Sequence, residues 1–277
     1  MSKSAELAYW INERYAMKRA KDAAEAMGAG PGLKFGWSDD PHMGLVRYCN
    51  VHREDDKVTR WLAQNWRPEH HAVWEIVLAR MINYIPSLEE VMTLHGREWQ
   101  TDRIAWQLKY RRDRGEKVFT SAYTISTCGQ RMDKIDYVMY VVRLCKDGNW
   151  SPFSTLAAAH ADIMHTDGLG SFLSAQVVAD LKNTAGHPLQ DAPDWHTWCA
   201  PGPGSLKGLC EYYGQNITPA IFDYSIKHCW EEVKPLINSH VPPIHMQDFQ
   251  NCLCEFSKYE RVKKGGHVRN KYRAGQD

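Results

Sequence analysis

Apolar residues recur at helical spacing along most of the chain and predict a succession of helices. Residues 4–27 place Leu7, Trp10, Ile11, Tyr15 and Met17 among Glu13, Arg14, Lys18, Arg19 and Lys21, an amphipathic helix ended by Gly28-Ala29-Gly30-Pro31-Gly32. The turn-rich run Trp37-Ser38-Asp39-Asp40-Pro41 leads into a predicted helix from Arg47 onward, with Val51, Val58, Leu62 and Trp66 on its core-facing side. A helix over 69–83 (Val73, Ile76, Val77, Ala79, Met81, Ile82) is closed by Pro86, and Ser87 with Glu90 predicts a capping box for the next one. Residues 100–115 form an arginine-rich helix whose end, Arg111-Arg112-Asp113-Arg114-Gly115, complements the helix dipole as a solvated terminus. Val118 to Ser126 is β-prone, a short strand or an extended loop. Asp133 to Lys146 returns to helix, with Ile135, Val138, Met139, Val142 and Cys145 on one face, and a last helix runs from Asp248 to Arg261 on Phe249, Cys252, Leu253 and Phe256. Without a βαβ rhythm or an internal repeat, the expected fold class is mostly α.

The polar positions carry the candidate chemistry. Asn50, Arg53, Asp56 and Arg60 step by three, three and four, a second stripe on the predicted Arg47 helix. An amide, two guanidinia and a carboxylate in line suit gripping a phosphate and orienting a nucleophile, and suit a solvated helix face equally well. Gly168-Leu169-Gly170 and Gly202-Pro203-Gly204 punctuate the second half. Gly-x-Gly between helices permits a tight turn with positive φ and leaves N–H groups at the next helix start, an anion site suited to a DNA phosphate or a pyrophosphate. After Gly170, Phe172, Gln176 and Asp180 share a helical stripe. They either line a pocket, with Phe172 stacking a base, or satisfy neighbouring helix ends from within the core. Glu255 and Lys258, three apart, make the spacing of a surface pair.

Composition narrows the classes. A chain of 277 residues holds one large helical domain or two small ones, and a formal charge of +1 confines any nucleic-acid surface to a local patch. Eleven Trp and thirteen Tyr are many for this length; large aromatics build a core or stack on bases, and core is the commoner use. The eight cysteines, at 49, 128, 145, 199, 210, 229, 252 and 254, include no Cys-x-x-Cys spacing, so neither a metal site nor a cofactor is expected. With no signal peptide and no long apolar run, the expected setting is cytoplasmic, with reduced thiols and no membrane contact. One helical domain is expected over 1–262, divisible into lobes 1–150 and 151–262. Beyond it, residues 263–277 gather Lys263, Lys264, His267, Arg269, Lys271 and Arg273 in a basic flexible tail, an arm on a phosphate backbone or a solubility tag.

The run Tyr48-Cys49-Asn50-Val51-His52-Arg53-Glu54-Asp55-Asp56-Lys57-Val58-Thr59-Arg60-Trp61 has the form aromatic-Cys-Asn-aliphatic-x-Arg-x-x-Asp-x-Val-Thr-x-Trp. It resembles the signature of the α-glutamyl/putrescinyl thymine pyrophosphorylase families, the third clade in particular, and of the related helical domain of hydroxymethyluracil DNA kinases. The likeness covers roughly residues 10–265. Its other pieces are Trp37–Pro41, Tyr123–Gly129 with Lys134, Gly170-Ser171-Phe172 with Gln176 and Asp180, Trp198–Ser205, and Cys254-Glu255-Phe256-Ser257-Lys258-Tyr259-Glu260-Arg261.

The resemblance implies a bacteriophage protein in the host cytoplasm, with a fold akin to helix-hairpin-helix DNA glycosylases, acting in thymine hypermodification. A partner kinase would activate 5-hydroxymethyluracil in double-stranded DNA as a (pyro)phosphate ester, and this chain would replace that group with a small amine, an amino acid or a polyamine. Lacking a Gly-x4-Gly-Lys-Ser/Thr loop, the chain is not expected to be the kinase. The implied catalytic residues are Asn50, Arg53, Asp56, Asp180 and Glu255. Arg60, Lys134, Phe172, Gln176, Gly202, Gly204, Lys258 and Arg261 are the implied substrate- and phosphate-binding residues. Two other classes compete: a helix-hairpin-helix base glycosylase, using Asp223 or Lys207, and a non-catalytic DNA-binding protein.

Overall fold

The protein is described by a computed structural model covering residues 1–28, 38–44, 46–65, 72–94, 100–120, 126–148, 150 and 152–267. Among these, the structure is helical: α1 Lys3–Ala26, α2 Lys57–Asn65, α3 Val73–Ile82, α4 Ile85–Met92, α5 Thr101–Asp113, α6 Lys134–Asp147, α7 Leu156–Met164, α8 Ser171–Asn183, α9 Pro203–Tyr213, α10 Phe222–Val233 and α11 Met246–Lys263. No strand occurs among the described residues, and the mostly α expectation is met. No helix among them is long and apolar enough to cross a membrane.

The helices form two compact units, Met1–Asp56 with Cys199–Asp277, and Lys57–Trp198. The first is discontinuous in sequence, unlike the lobes 1–150 and 151–262 that the sequence suggests. Its core joins Leu7, Trp10 and Ile11 of α1 to Leu209 of α9, Phe222 and Ile226 of α10, and Phe249, Leu253 and Phe256 of α11. The helix 4–27 is capped as sequence chemistry favours, the Ser2 Oγ accepting the Ala5 N–H.

The second unit is organised on α3, whose residues Ile76 to Ile82 are all buried, with α6 and α8 against it. Asp133 caps α6 through the Ile135 N–H at 2.8 Å, and Thr155 caps α7 through the Ala158 N–H at 3.0 Å. The turn from α7 to α8 has the expected geometry: Gly168 has φ of +86°, and Leu169 is buried. A Cβ on Gly168 would lie 2.6 Å from Val141 Cγ2 and 2.8 Å from the Tyr137 hydroxyl. Left-handed strain and this clash act together, so Gly168→Ala is expected to cost about 2 kcal/mol, measured as a shift in the denaturant midpoint at constant slope.

Several sequence expectations are corrected. Arg47 to Leu62 is not one helix. Tyr48 to His52 is not helical, Arg53–Asp55 makes a single 3₁₀ turn flanked by His52 and Asp56 in extended conformation, and only then does α2 begin. Val51, Val58 and Leu62 are buried as expected, but Val51 belongs to the first unit's core and the other two to the second's. Ser87 is not a cap. Tyr84 takes that place, and the Ser87 hydroxyl lies inside α4 donating to the Val118 carbonyl at 2.7 Å. Glu90 instead receives Arg111 and Arg114, so the arginine-rich end of α5 is tied to α4. Residues 118–120 form no strand, and the rest of that β-prone run, 121–125, lies outside the described residues, as do Trp37, Trp66 and 29–32. Of the basic tail, Lys263 pairs with Glu260 and Lys264 with Glu211, while Arg269, Lys271 and Arg273 lie outside the described residues.

Candidate functional site

The first unit gathers charged side chains around the segment Arg47–Asp56, and the gathering explains why that segment is not an α-helix. From α1, Arg14 donates through Nε to the Cys49 carbonyl at 2.9 Å and through Nη2 to the Tyr48 carbonyl at 3.3 Å and Asn50 Oδ1 at 2.5 Å. Asn50 Nδ2 in turn donates to the Asp55 carbonyl at 3.0 Å. Backbone acceptors that a helix would use internally are thus taken by side chains, the local competition in which asparagine excels.

From α11 come the opposing contacts. Asp248 Oδ1 accepts the Arg53 N–H at 2.7 Å while its Oδ2 accepts the His245 N–H at 3.1 Å, which ties the 3₁₀ turn to the start of α11. Asn251 Nδ2 donates to the Asn50 carbonyl at 3.2 Å. Glu255 Oε2 accepts the Cys49 N–H at 3.1 Å and lies 3.3 Å from Lys258 Nζ. Lys258 also donates to the Arg47 carbonyl and sits 5.1 Å from the centroid of the Tyr48 ring. Arg53 Nη1 approaches Asp56 Oδ2 at 4.0 Å. The pair Glu255–Lys258, spaced like a surface pair, is mostly buried.

Three cations, Arg14, Lys258 and Arg53, and two carboxylates, Glu255 and Asp56, therefore gather along one short stretch. The Glu255 charge pushes the thiol of Cys49, an exposed residue, above its usual value, and burial does the same to Cys252. Both are kept as neutral thiols, so neither is poised as a nucleophile. What the cluster offers is positive charge for an anion beside carboxylates able to take a proton.

The structure brings together Asn50, Arg53, Asp56, Glu255 and Lys258, but not the whole predicted stripe. Arg60 stands exposed on α2 in the second unit. Lys134, Phe172, Gln176 and Asp180 belong to that unit as well. Lys134 Nζ lies 4.4 Å from the Phe119 ring centroid, and burial lowers its pKa. Phe172 is exposed and Gln176 half-buried, whereas Asp180 is fully interior. The shared stripe thus descends from the surface into the core rather than lining one pocket.

Asp180 has both oxygens engaged. Oδ1 accepts the Thr59 hydroxyl at 2.7 Å and the Arg80 Nη2, and Oδ2 accepts Arg80 Nε at 2.7 Å. Arg80 continues to Thr59 at 2.9 Å and to Asn83 Oδ1 at 3.1 Å. A carboxylate clamped by a buried guanidinium is a structural anchor.

Gly202 and Gly204 also differ from expectation. Gly202 has φ of −124° and its N–H donates to Ser205 Oγ at 3.2 Å, so this amide does not face an anion. Gly204 lies inside α9, where a Cβ would meet Cys254 Sγ at 2.1 Å, and Gly208 one turn on faces the Leu253 carbonyl oxygen at 2.2 Å. These glycines serve the close crossing of α9 and α11. Asp223, the glycosylase candidate, is exposed on the first turn of α10 and paired with Lys227 at 2.7 Å. Arg261 and Lys207 are exposed on α11 and α9.

Sequence reasoning missed Arg14, Asp248, Thr59 and Arg80. Only Arg80 left a plain trace: an arginine within the apolar run Val73–Ile82 must be buried with a partner. Among known proteins, a family model described as "5-hmdU DNA kinase, helical domain" matches residues 3–268. No curated protein and no solved structure matches the chain.

Proposed function

The chain belongs to the family of 5-hmdU DNA kinase helical domains, which places it in hydroxymethyluracil DNA modification, and from that premise we propose that it is a transferase, replacing the (pyro)phosphate of activated 5-hydroxymethyluracil in double-stranded DNA with an amine. The resemblance of the Tyr48–Trp61 run to the thymine pyrophosphorylase signature supports this reading. The observation that carries it is the cluster of Arg53, Lys258, Asp56 and Glu255 around the segment that holds this signature's Cys-Asn-x-x-Arg portion.

In the proposed reaction, the nitrogen of an amino acid or polyamine bonds to the methylene carbon on C5 of the uracil. The carbon–oxygen bond to the (pyro)phosphate breaks, and the departing group takes the electron pair. Arg53 and Lys258 stabilise the negative charge that grows on it. Asp56, half-buried and beside Arg53, accepts the proton that the attacking ammonium must lose. Asn50, held by Arg14 and bound to the Asp55 carbonyl, and Glu255, bound to the Cys49 N–H, position the segment. Phage origin, a cytoplasmic setting and a partner kinase are part of the same proposal.

Duplex DNA bearing the pyrophosphorylated base, incubated with the protein and a pool of amines, should yield a nucleoside heavier by one amine on mass spectrometry. Arg53→Ala and Lys258→Ala should each lower single-turnover transfer by roughly 10²–10³-fold while the folded fraction, followed by circular dichroism, stays as in the parent. Full transfer in both folded variants, or abasic sites in place of the heavier nucleoside, would overturn the assignment.

A further inference from the structure

Beyond the Arg53–Lys258 cluster, the first unit carries a cleft of about 740 Å³ lined by α9, the turn after it and α11. Lys207, Glu211 and Cys210 line it from α9, Ser257 and Arg261 from α11, and Gln215, Asn216 and Lys264 from beyond these helices. Lys264 is matched by Glu211 at 2.6 Å. Lys207 and Arg261 have no acidic partner within 4 Å among the described residues, so the cleft keeps two uncompensated cations in a chain whose formal charge is only +1. A Ser hydroxyl and two side-chain amides beside them supply further donors for an oxyanion.

The helix register brings this cleft close to the candidate site. Glu255 and Lys258 turn to the Arg47–Cys49 segment, while Cys254, Ser257 and Arg261 follow one another at helical spacing along the neighbouring side of α11. Cys254 senses both sets: burial pushes its thiol up to about 11, and Lys258, Arg261 and Lys207 all pull against that rise. The close α9–α11 crossing at Gly204 and Gly208 fixes the two cation-bearing helices with backbone contact, so the cleft is preformed rather than dependent on side-chain reach.

We propose that this cleft is a phosphate-binding site, with Lys207 and Arg261 as its cationic ligands. The oxyanion comes either from the sugar–phosphate backbone of DNA or from free pyrophosphate. The inference does not rest on the transfer reaction, since a chain that binds phosphate here and transfers nothing would still satisfy it.

The test uses the full chain and an unmodified DNA duplex, with binding followed by fluorescence anisotropy between 50 and 200 mM salt, a range over which a phosphate contact shows clearly. Lys207→Gln and Arg261→Gln remove charge without reversing it, and Lys227→Gln on α10 is the control outside the cleft. If the backbone is the ligand, the slope of log K against log salt should fall by about 1 in each single variant and about 2 in the double, with the control unchanged. If pyrophosphate is the ligand, calorimetry should show one equivalent bound by the parent and none by the double variant, with the DNA slope unaltered. A folded double variant that keeps both the parental DNA slope and parental pyrophosphate binding would overturn the proposal, as would a parent that binds neither probe. Thermal melts of each variant separate loss of binding from loss of fold.

Discussion

Asp180→Ala is expected to lower the unfolding free energy of the second unit by about 3–5 kcal/mol, the cost of removing one partner of a buried ion pair. Arg80 is 1% exposed, and Asp180 accepts from both its Nε and its Nη2. The neutral contacts to Thr59 and Asn83 are too weak to replace the carboxylate. Replacing both members, Arg80→Met with Asp180→Leu, should recover most of the loss, because an apolar pair of similar volume removes the charge along with its partner. Chemical denaturation of the three variants tests the pair, and a loss below about 1 kcal/mol in Asp180→Ala would contradict the clamp. The same experiment separates an anchor from a proton acceptor. A catalytic Asp180 would lose transfer at parental stability in Asp180→Asn, whereas an anchor loses stability first.

Gly208→Ala is expected to destabilise the first unit by about 3 kcal/mol. The added methyl would sit 2.2 Å from the Leu253 carbonyl oxygen and 2.7 Å from its carbon, both backbone atoms of α11 that cannot rotate away. Alanine's better helix propensity returns only about 1 kcal/mol, so the clash decides the sign. Gly204→Ala should cost less, because its nearest neighbour is the Cys254 side chain, and adding Cys254→Ala should recover part of that cost. Thermal and denaturant unfolding of these variants gives the order directly. Equal stability of Gly208→Ala and the parent would mean that the α9–α11 crossing is looser than the structure has it.

Much of the fold was legible because helical periodicity is a local property. The apolar faces of α1, α3, α6 and α11 are buried at the residues that the spacing selects. The Gly168 turn was legible for the same reason, since a positive φ before a helix asks for glycine whatever surrounds it. The site was legible in its residue types but not in its arrangement. Arg53, Asp56, Glu255 and Lys258 were named from sequence, yet the helix that was to align Asn50 with Arg60 is absent. Arg14, more than thirty positions away in sequence, occupies the carbonyls that such a helix would need. Nor did spacing reveal that Gly204 is held by Cys254 rather than by a phosphate, because a glycine required for close packing and one required for a bare amide look alike in sequence.

What the sequence by itself determined is the helical class, most helix positions and the set of groups available for phosphate and proton chemistry, all of which follow from patterns within some ten residues. Only the tertiary structure decided which groups meet. It buried Asp180 against Arg80, and joined residues from both ends of the sequence into one unit around the Arg47–Asp56 segment. It also set Lys207 and Arg261 across one cleft. The physical reason is range: backbone conformation and amphipathicity are governed by near neighbours, whereas burial of a charge and its choice of partner depend on residues that only the folded chain brings within a few ångströms.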